Sequence, residues 1–321
     1  MTGRTTKSRH NWLGAVAVCV LLAVTVYSVQ AVDRAEWQGA LSYWRGHLWL
    51  FAVALGINYV GIACDFGAWS LVYRQFGVAL PLRTRVPLFL AVFAGQFMPL
   101  QSARLLRPML VRRVLPRAFG KSAAAEAALF YVDILALGAV ICGLAISLVA
   151  PLAAVPAAVA VVCVGYAFAQ VLFGRMRMLD GAIPSGFWFS RAIGAATLLR
   201  SMDWFLQGCI LYLLLRPLVG EAAFAPAALS ALVSTTLGAG TGLPGGIGAT
   251  EGIMAWLVGL TAISAAHRMI TVGAYRFITF YLQLPLGWIC LVYLRTRARR
   301  GGRPTSAGLG QAMRENSVAN P

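Results

Sequence analysis

Charge is scarce in this chain, and negative charge scarcest of all. Only 12% of its 321 residues are charged and only 10 are acidic; a soluble domain usually devotes about a quarter of its residues to charge. Lysine is almost missing, present only at Lys7 and Lys121. The six cysteines (Cys19, Cys64, Cys142, Cys163, Cys209, Cys290) lie inside apolar runs with no paired spacing. That excludes a secreted disulfide scaffold and reads as small core hydrophobes rather than zinc ligands. The three histidines (His10, His47, His267) are far apart, which gives no metal cluster, and no nucleotide-binding glycine loop is present. No stretch is polar and long enough for a separate soluble catalytic core. What remains is apolar: 60% hydrophobic residues and a mean hydropathy of +0.75. This is the composition of an all-α integral membrane protein. The net charge of +17 is read as membrane orientation, since basic residues collect in cytoplasmic loops, and not as nucleic-acid binding.

A helix needs about 20 apolar residues to cross the hydrocarbon core. Six runs qualify: Trp12–Ala31, Leu48–Val72, Ala123–Val149, Val155–Phe173, Ala192–Leu215 and Ile270–Leu294. The first follows Arg4, Lys7 and Arg9 but exceeds a signal-peptide core and precedes further spans, so it is read as an uncleaved helix. Two other stretches are too short or too broken to cross alone. One is Val86–Met98, ended by Pro99; the other is Ala227–Ala262, interrupted by the glycine-rich run Gly238–Gly248. Placing the five basic clusters on the cytoplasmic side requires both to enter and leave on one face, as re-entrant helical hairpins from opposite sides. The expected architecture is thus about six full spans plus two hairpins, in two halves (about 12–150 and 151–294) arranged as an inverted repeat. Residues 1–11 and the basic 295–321 form cytoplasmic tails, the latter disordered. Ala94-Gly-Gln-Phe-Met-Pro99 and Ala239-Gly-Thr-Gly-Leu-Pro244 echo one another faintly at the two breaks.

Ionisable groups at membrane depth are costly, roughly 2.5–3.5 kcal/mol each on insertion scales, and call for a partner or a role. Arg200 and Asp203, three apart on one helix, read as a structural ion pair. Glu126 and Asp133 share a helix face without neutralising each other, and Asp65 shares one with Asn58; Asp65, Glu126 and Asp133 are candidates for a polar path or for coupling. In Leu243-Pro-Gly-Gly-Ile-Gly-Ala-Thr-Glu251, glycines 245, 246 and 248 permit positive φ ahead of a helix start, where unpaired N–H groups favour anions. Arg276 supplies a planar fork for phosphate, or a salt bridge to Glu251 that a phosphate would exchange. Arg104 and Arg107, three apart after the first break, are either cytoplasmic anchoring charges or a phosphate-capturing entrance.

At these residues the sequence resembles the lysylphosphatidylglycerol synthase transmembrane-region family, a flippase-like membrane domain. Two elements carry the resemblance. Leu243-Pro-Gly-Gly-Ile-Gly-Ala-Thr-Glu251 is similar to the family's Pro-Gly-Gly-x-Gly-x-x-Glu element. Pro99 to Arg107 is similar to its Pro-x-x-x-Gly-acidic-x-x-Arg element, with Ala103 and Arg104 departing from the glycine and the acid. Arg276 resembles the family's arginine in the last helix. The resemblance covers roughly residues 12–294 and implies movement of aminoacylated or other lipid-linked substrates between leaflets, without the cytosolic aminoacyl-transferase domain of bifunctional members.

The expectation is a lipid flippase-like transporter that moves a phosphate-containing lipid, aminoacyl-phospholipid or polyprenyl-linked, between the leaflets of a bacterial inner membrane, both termini cytoplasmic, using no cofactor or metal and not acting as an enzyme. Its headgroup-binding set is Arg104, Arg107, Gly245, Gly246, Gly248, Glu251 and Arg276. Rival readings are an intramembrane lipid-modifying transferase, an accessory subunit of a cell-envelope glycosyltransferase system, and a small-solute carrier.

Overall fold

Five of the six long apolar runs fold as helices long and apolar enough to cross a bilayer. The computed structural model describes residues 30–96, 98, 104–115, 118–175, 183, 186–219, 224–261 and 263–301. The expected first span up to residue 29, the tail 1–11 and the part of the tail 295–321 beyond residue 301 lie outside these residues, as do Pro99 and Ala103; residues 295–301 continue the last helix. Among the described residues there is no strand, and the chain is an all-α polytopic membrane protein.

A short helix α1 (Arg34–Gly46) precedes the first described span, α2 (Leu48–Gln75). The stretch around Val86–Met98 is broken, as its length requires. Helix α3 (Leu82–Leu90), containing Pro87, tightens into a 3₁₀ turn at Ala91–Gly95, and α4 (Leu106–Val114) follows. Helix α5 (Phe119–Ser147) packs against α6 (Ala154–Arg175). Helix α7 (Arg191–Val219) lies along α2. The second broken stretch is a helical hairpin of α8 (Phe224–Gly240) and α9 (Ala249–Gly259), joined through a 3₁₀ turn at Pro244–Gly246. The last span starts as α10 (Ala265–Arg276), widens into one π-turn (Phe277–Tyr281) and continues as α11 (Gln283–Gly301). The order span, broken segment, span therefore occurs twice.

Close backbone approach sets the broken segments in place. The turn 91–95 packs on α11, where a Cβ on Gly287 would run into the backbone of Phe93 and Ala94. In lipid such contact, rather than expulsion of water, holds helices together. An aromatic-rich cluster including Trp69, Tyr73, Phe89, Phe187 and Trp188 fills one part of the bundle. A second, including Trp44, Leu211, Leu214 and Tyr275, fills another.

Candidate functional site: a mixed-charge cavity at the helix breaks

Gly245, Gly246 and Gly248 take φ of 61°, 65° and 83°, a region that L side chains rarely adopt. The bend they allow brings the turn against the other broken segment: a Cβ on Gly245 would lie 3.2 Å from the Gln96 carbonyl oxygen. Where the two breaks meet, the protein forms a partly open cavity of about 240 Å³. Four arginines line it, Arg104, Arg107, Arg200 and Arg276, together with Asp65, Asp133 and Asp203. Glu126 pairs with Arg107 and Glu251 with Arg276. Half of the chain's ten acidic residues thus converge on one place. Every ionisable residue singled out from the sequence belongs to this assembly.

The centre is Arg200 of α7. Its Nε donates to Asp133 Oδ1 at 2.8 Å, and its Nη2 also bonds that carboxylate. Nη1 reaches Asp65 at 2.7 Å and Asp203 at 2.9 Å. The local Arg200–Asp203 pair is therefore one edge of a network tying α2, α5 and α7. Asp133 receives Arg104 as well, and Trp204 Nε1 donates to it at 3.0 Å. A carboxylate held by several donors is an organised buried charge, expensive to strip of any one partner.

At the second break, Glu251 occupies the start of α9. Its Oε2 accepts the Gly248 N–H at 2.7 Å, and its Oε1 accepts Arg276 Nε at 2.7 Å. Tyr281 adds a hydroxyl at 3.4 Å, and Arg276 Nη2 donates to the Gly245 carbonyl at 3.1 Å. The helix start that sequence reasoning offered to a phosphate is thus capped by the chain's own carboxylate, the second of the two arrangements open for this pair. The π-turn directly after Arg276 frees carbonyl groups, and Asn58 of α2 donates to one of them, at Ile278, over 3.1 Å.

Arg107 is held differently. Its Nη1 lies 3.4 and 3.5 Å from the Glu126 oxygens, and Tyr73 already donates to Glu126 at 2.7 Å. Its guanidinium sits over the rings of Phe89 and Trp69, 5.0 and 5.7 Å from their centroids.

Several lining residues carry no charge and receive no role from the sequence alone: Gln96, Trp204, Gln207, Thr250 and Gln283. Gln96 Nε2 donates to Gln283 Oε1 at 2.9 Å, linking the first break to α11. The available signal was a lone amide inside each of two apolar segments. Four guanidinium groups and three carboxylates on the wall, with Glu126 and Glu251 paired to two of the arginines, make the site mixed in charge, and not a plain cationic patch. A family model described as the lysylphosphatidylglycerol synthase TM region matches residues 11–287, and no curated protein matches the chain.

Proposed function

The chain belongs to the lysylphosphatidylglycerol synthase transmembrane-region family, and from that premise we propose that it moves a phosphate-bearing lipid between the leaflets of a bacterial inner membrane. Membership gives the coarser statement, a multi-pass membrane protein with a lipid-related role; translocation is the reading that the cavity supports best. The observation that carries it is the meeting of two broken helical segments at a polar, four-arginine cavity inside an apolar bundle. Backbone breaks at membrane depth are tolerated where they line a polar cavity, and transporters place their substrate sites there.

The lipid headgroup enters the cavity while its acyl chains remain in the bilayer. The Glu251–Arg276 ion pair acts as the exchangeable latch: a phosphate oxygen takes the place of Glu251 on the guanidinium fork, and the turn at 245–248 is released from Arg276. One half of the bundle then rocks against the other to expose the cavity to the opposite leaflet. With the basic ends cytoplasmic, an anionic headgroup moving outward gains about 2.3 kcal/mol per charge for each 100 mV of inside-negative potential. Nucleotide hydrolysis is not required for that direction, and the reading is of a transporter and not an enzyme.

The test is leaflet exchange of fluorescent phospholipids in proteoliposomes. Arg276→Ala and Glu251→Ala are each expected to slow exchange at least tenfold. Wild-type exchange rates in both variants would remove the latch, and no exchange by the wild-type protein with any anionic phospholipid would remove the function.

A further inference from the structure

The four arginines of the cavity are not equivalent. Arg200 spends Nε, Nη1 and Nη2 on three aspartates. Arg276 is held at 2.7 Å by Glu251 and at 3.1 Å by a carbonyl. Arg104 is bonded to Asp133. Arg107 is only 4% exposed, yet its Nε–H has no hydrogen-bond partner, and its ion pair with Glu126 is stretched to 3.4 Å. Phe89 and Trp69 lie against one side of it, and the N–H donors of a guanidinium lie in its plane, along the edge. A buried donor left without an acceptor costs free energy that a ligand acceptor recovers. A second atom in the same cavity is equally unmatched: Gln96 Oε1 is buried with no donor, although the amide nitrogen of that side chain is bonded to Gln283.

The geometry points to Arg107 as the first oxyanion contact of the cavity, open to a ligand while Arg276 still holds Glu251, with Gln96 Oε1 accepting from a hydroxyl or amino group carried on the same ligand. The ligand class is a phosphate ester bearing a neighbouring hydrogen-bond donor. A lipid headgroup as the source of that phosphate rests on the proposed function; the anion site itself does not.

Binding is measured on the full chain in detergent micelles, by microscale thermophoresis, with three probes: short-chain phosphatidylglycerol, short-chain phosphatidylcholine and free glycerol 3-phosphate. Phosphatidylglycerol carries the phosphodiester with hydroxyl donors, and phosphatidylcholine the phosphodiester without them. The paired variant Arg107→Gln/Glu126→Gln removes the guanidinium without stranding a buried carboxylate. It is expected to weaken phosphatidylglycerol binding about tenfold or more, the span of one charge-assisted hydrogen bond. Arg268→Gln, which removes a cation away from the cavity, is expected to bind as wild type does. Arg107→Lys keeps the charge but loses the fork; it gives the same weakening and serves if the paired variant fails to fold.

Wild-type affinity in both Arg107 variants overturns the proposal. An equal loss in Arg268→Gln also overturns it, because binding then follows total charge. No binding of any probe to the wild-type chain overturns it too. Equal binding of the two lipids removes Gln96 from the site. Competition by glycerol 3-phosphate at the affinity of the lipid upholds the anion site and transfers its source to a soluble ester, which defeats the lipid reading separately.

Discussion

Arg200 shows why single polar residues in this chain cannot be read in isolation. Its sequence neighbour Asp203 lies three residues away, so a self-contained pair was legible. Its bonds to Asp65 and Asp133, 135 and 67 residues away, were not. Removing one member of such a buried group leaves the others uncompensated and costs roughly 3–5 kcal/mol. Arg200→Gln is therefore expected to lower the unfolding midpoint in detergent markedly. In double-mutant cycles its coupling to Asp133, which it contacts through two nitrogens, should exceed its coupling to Asp203; equal couplings would contradict the geometry. Outside the membrane-spanning segments, Glu36 of α1 accepts the Ala266 N–H at 2.8 Å. That bond at the start of α10, with the Ser264 side chain nearby, holds its carboxyl below the ordinary value of 4.5. A depressed folded-state pKa means the contact is present above about pH 4.5 and is lost as the pH falls through the lower folded value. Hydrogen exchange at the Ala266 amide should accelerate in that acid window, and Glu36→Gln should show the faster exchange already at neutral pH.

At the scale of elements, apolar length was enough to place helices. α2, α5, α6, α7 and the joined α10–α11 coincide with apolar runs visible in the sequence, because about 20 residues of hydrocarbon-facing helix leave few alternatives. The breaks were legible for the converse reason: Val86–Met98 is too short, and six of the eleven residues from 238 to 248 are glycine. The π-turn after Arg276 was not legible, since Phe277–Tyr281 is an ordinary apolar sequence and its geometry answers to Asn58 on another helix. Nor was the task of Gly287, which looks like any glycine in a span yet admits the 91–95 turn. Gly287→Val would overpack that contact, costing about 1–3 kcal/mol. It is expected to lower thermal stability in nanodiscs and to raise the reactivity of a cysteine introduced at Gln96; unchanged values for both would show that the turn does not depend on close approach to α11.

For the molecule as a whole, the basic residues make a prediction about orientation. Lys121, Arg175 and Arg191 stand at ends of spans that the charge distribution assigns to one compartment, the cytoplasm, and Leu152 and Leu260 stand at the other. In a background lacking the six native cysteines, cysteines at 121 and 191 are expected to resist a membrane-impermeant maleimide in intact cells, and those at 152 and 260 to react. The reverse pattern would invert the direction of any transport. By itself the sequence determined that this is a membrane protein, where its five described spans run and where two apolar stretches break, because the bilayer turns composition and run length into structure with little help from long-range contact. It also named the ionisable residues, since any charge surviving in an apolar span is conspicuous. Only the tertiary structure decided how those charges are shared: that Glu251 caps its own helix and holds Arg276, that three carboxylates surround Arg200, and that Arg107 is left with a donor unspent. Pairing in a buried network depends on distances between helices far apart in the chain, and no local pattern of residues encodes those.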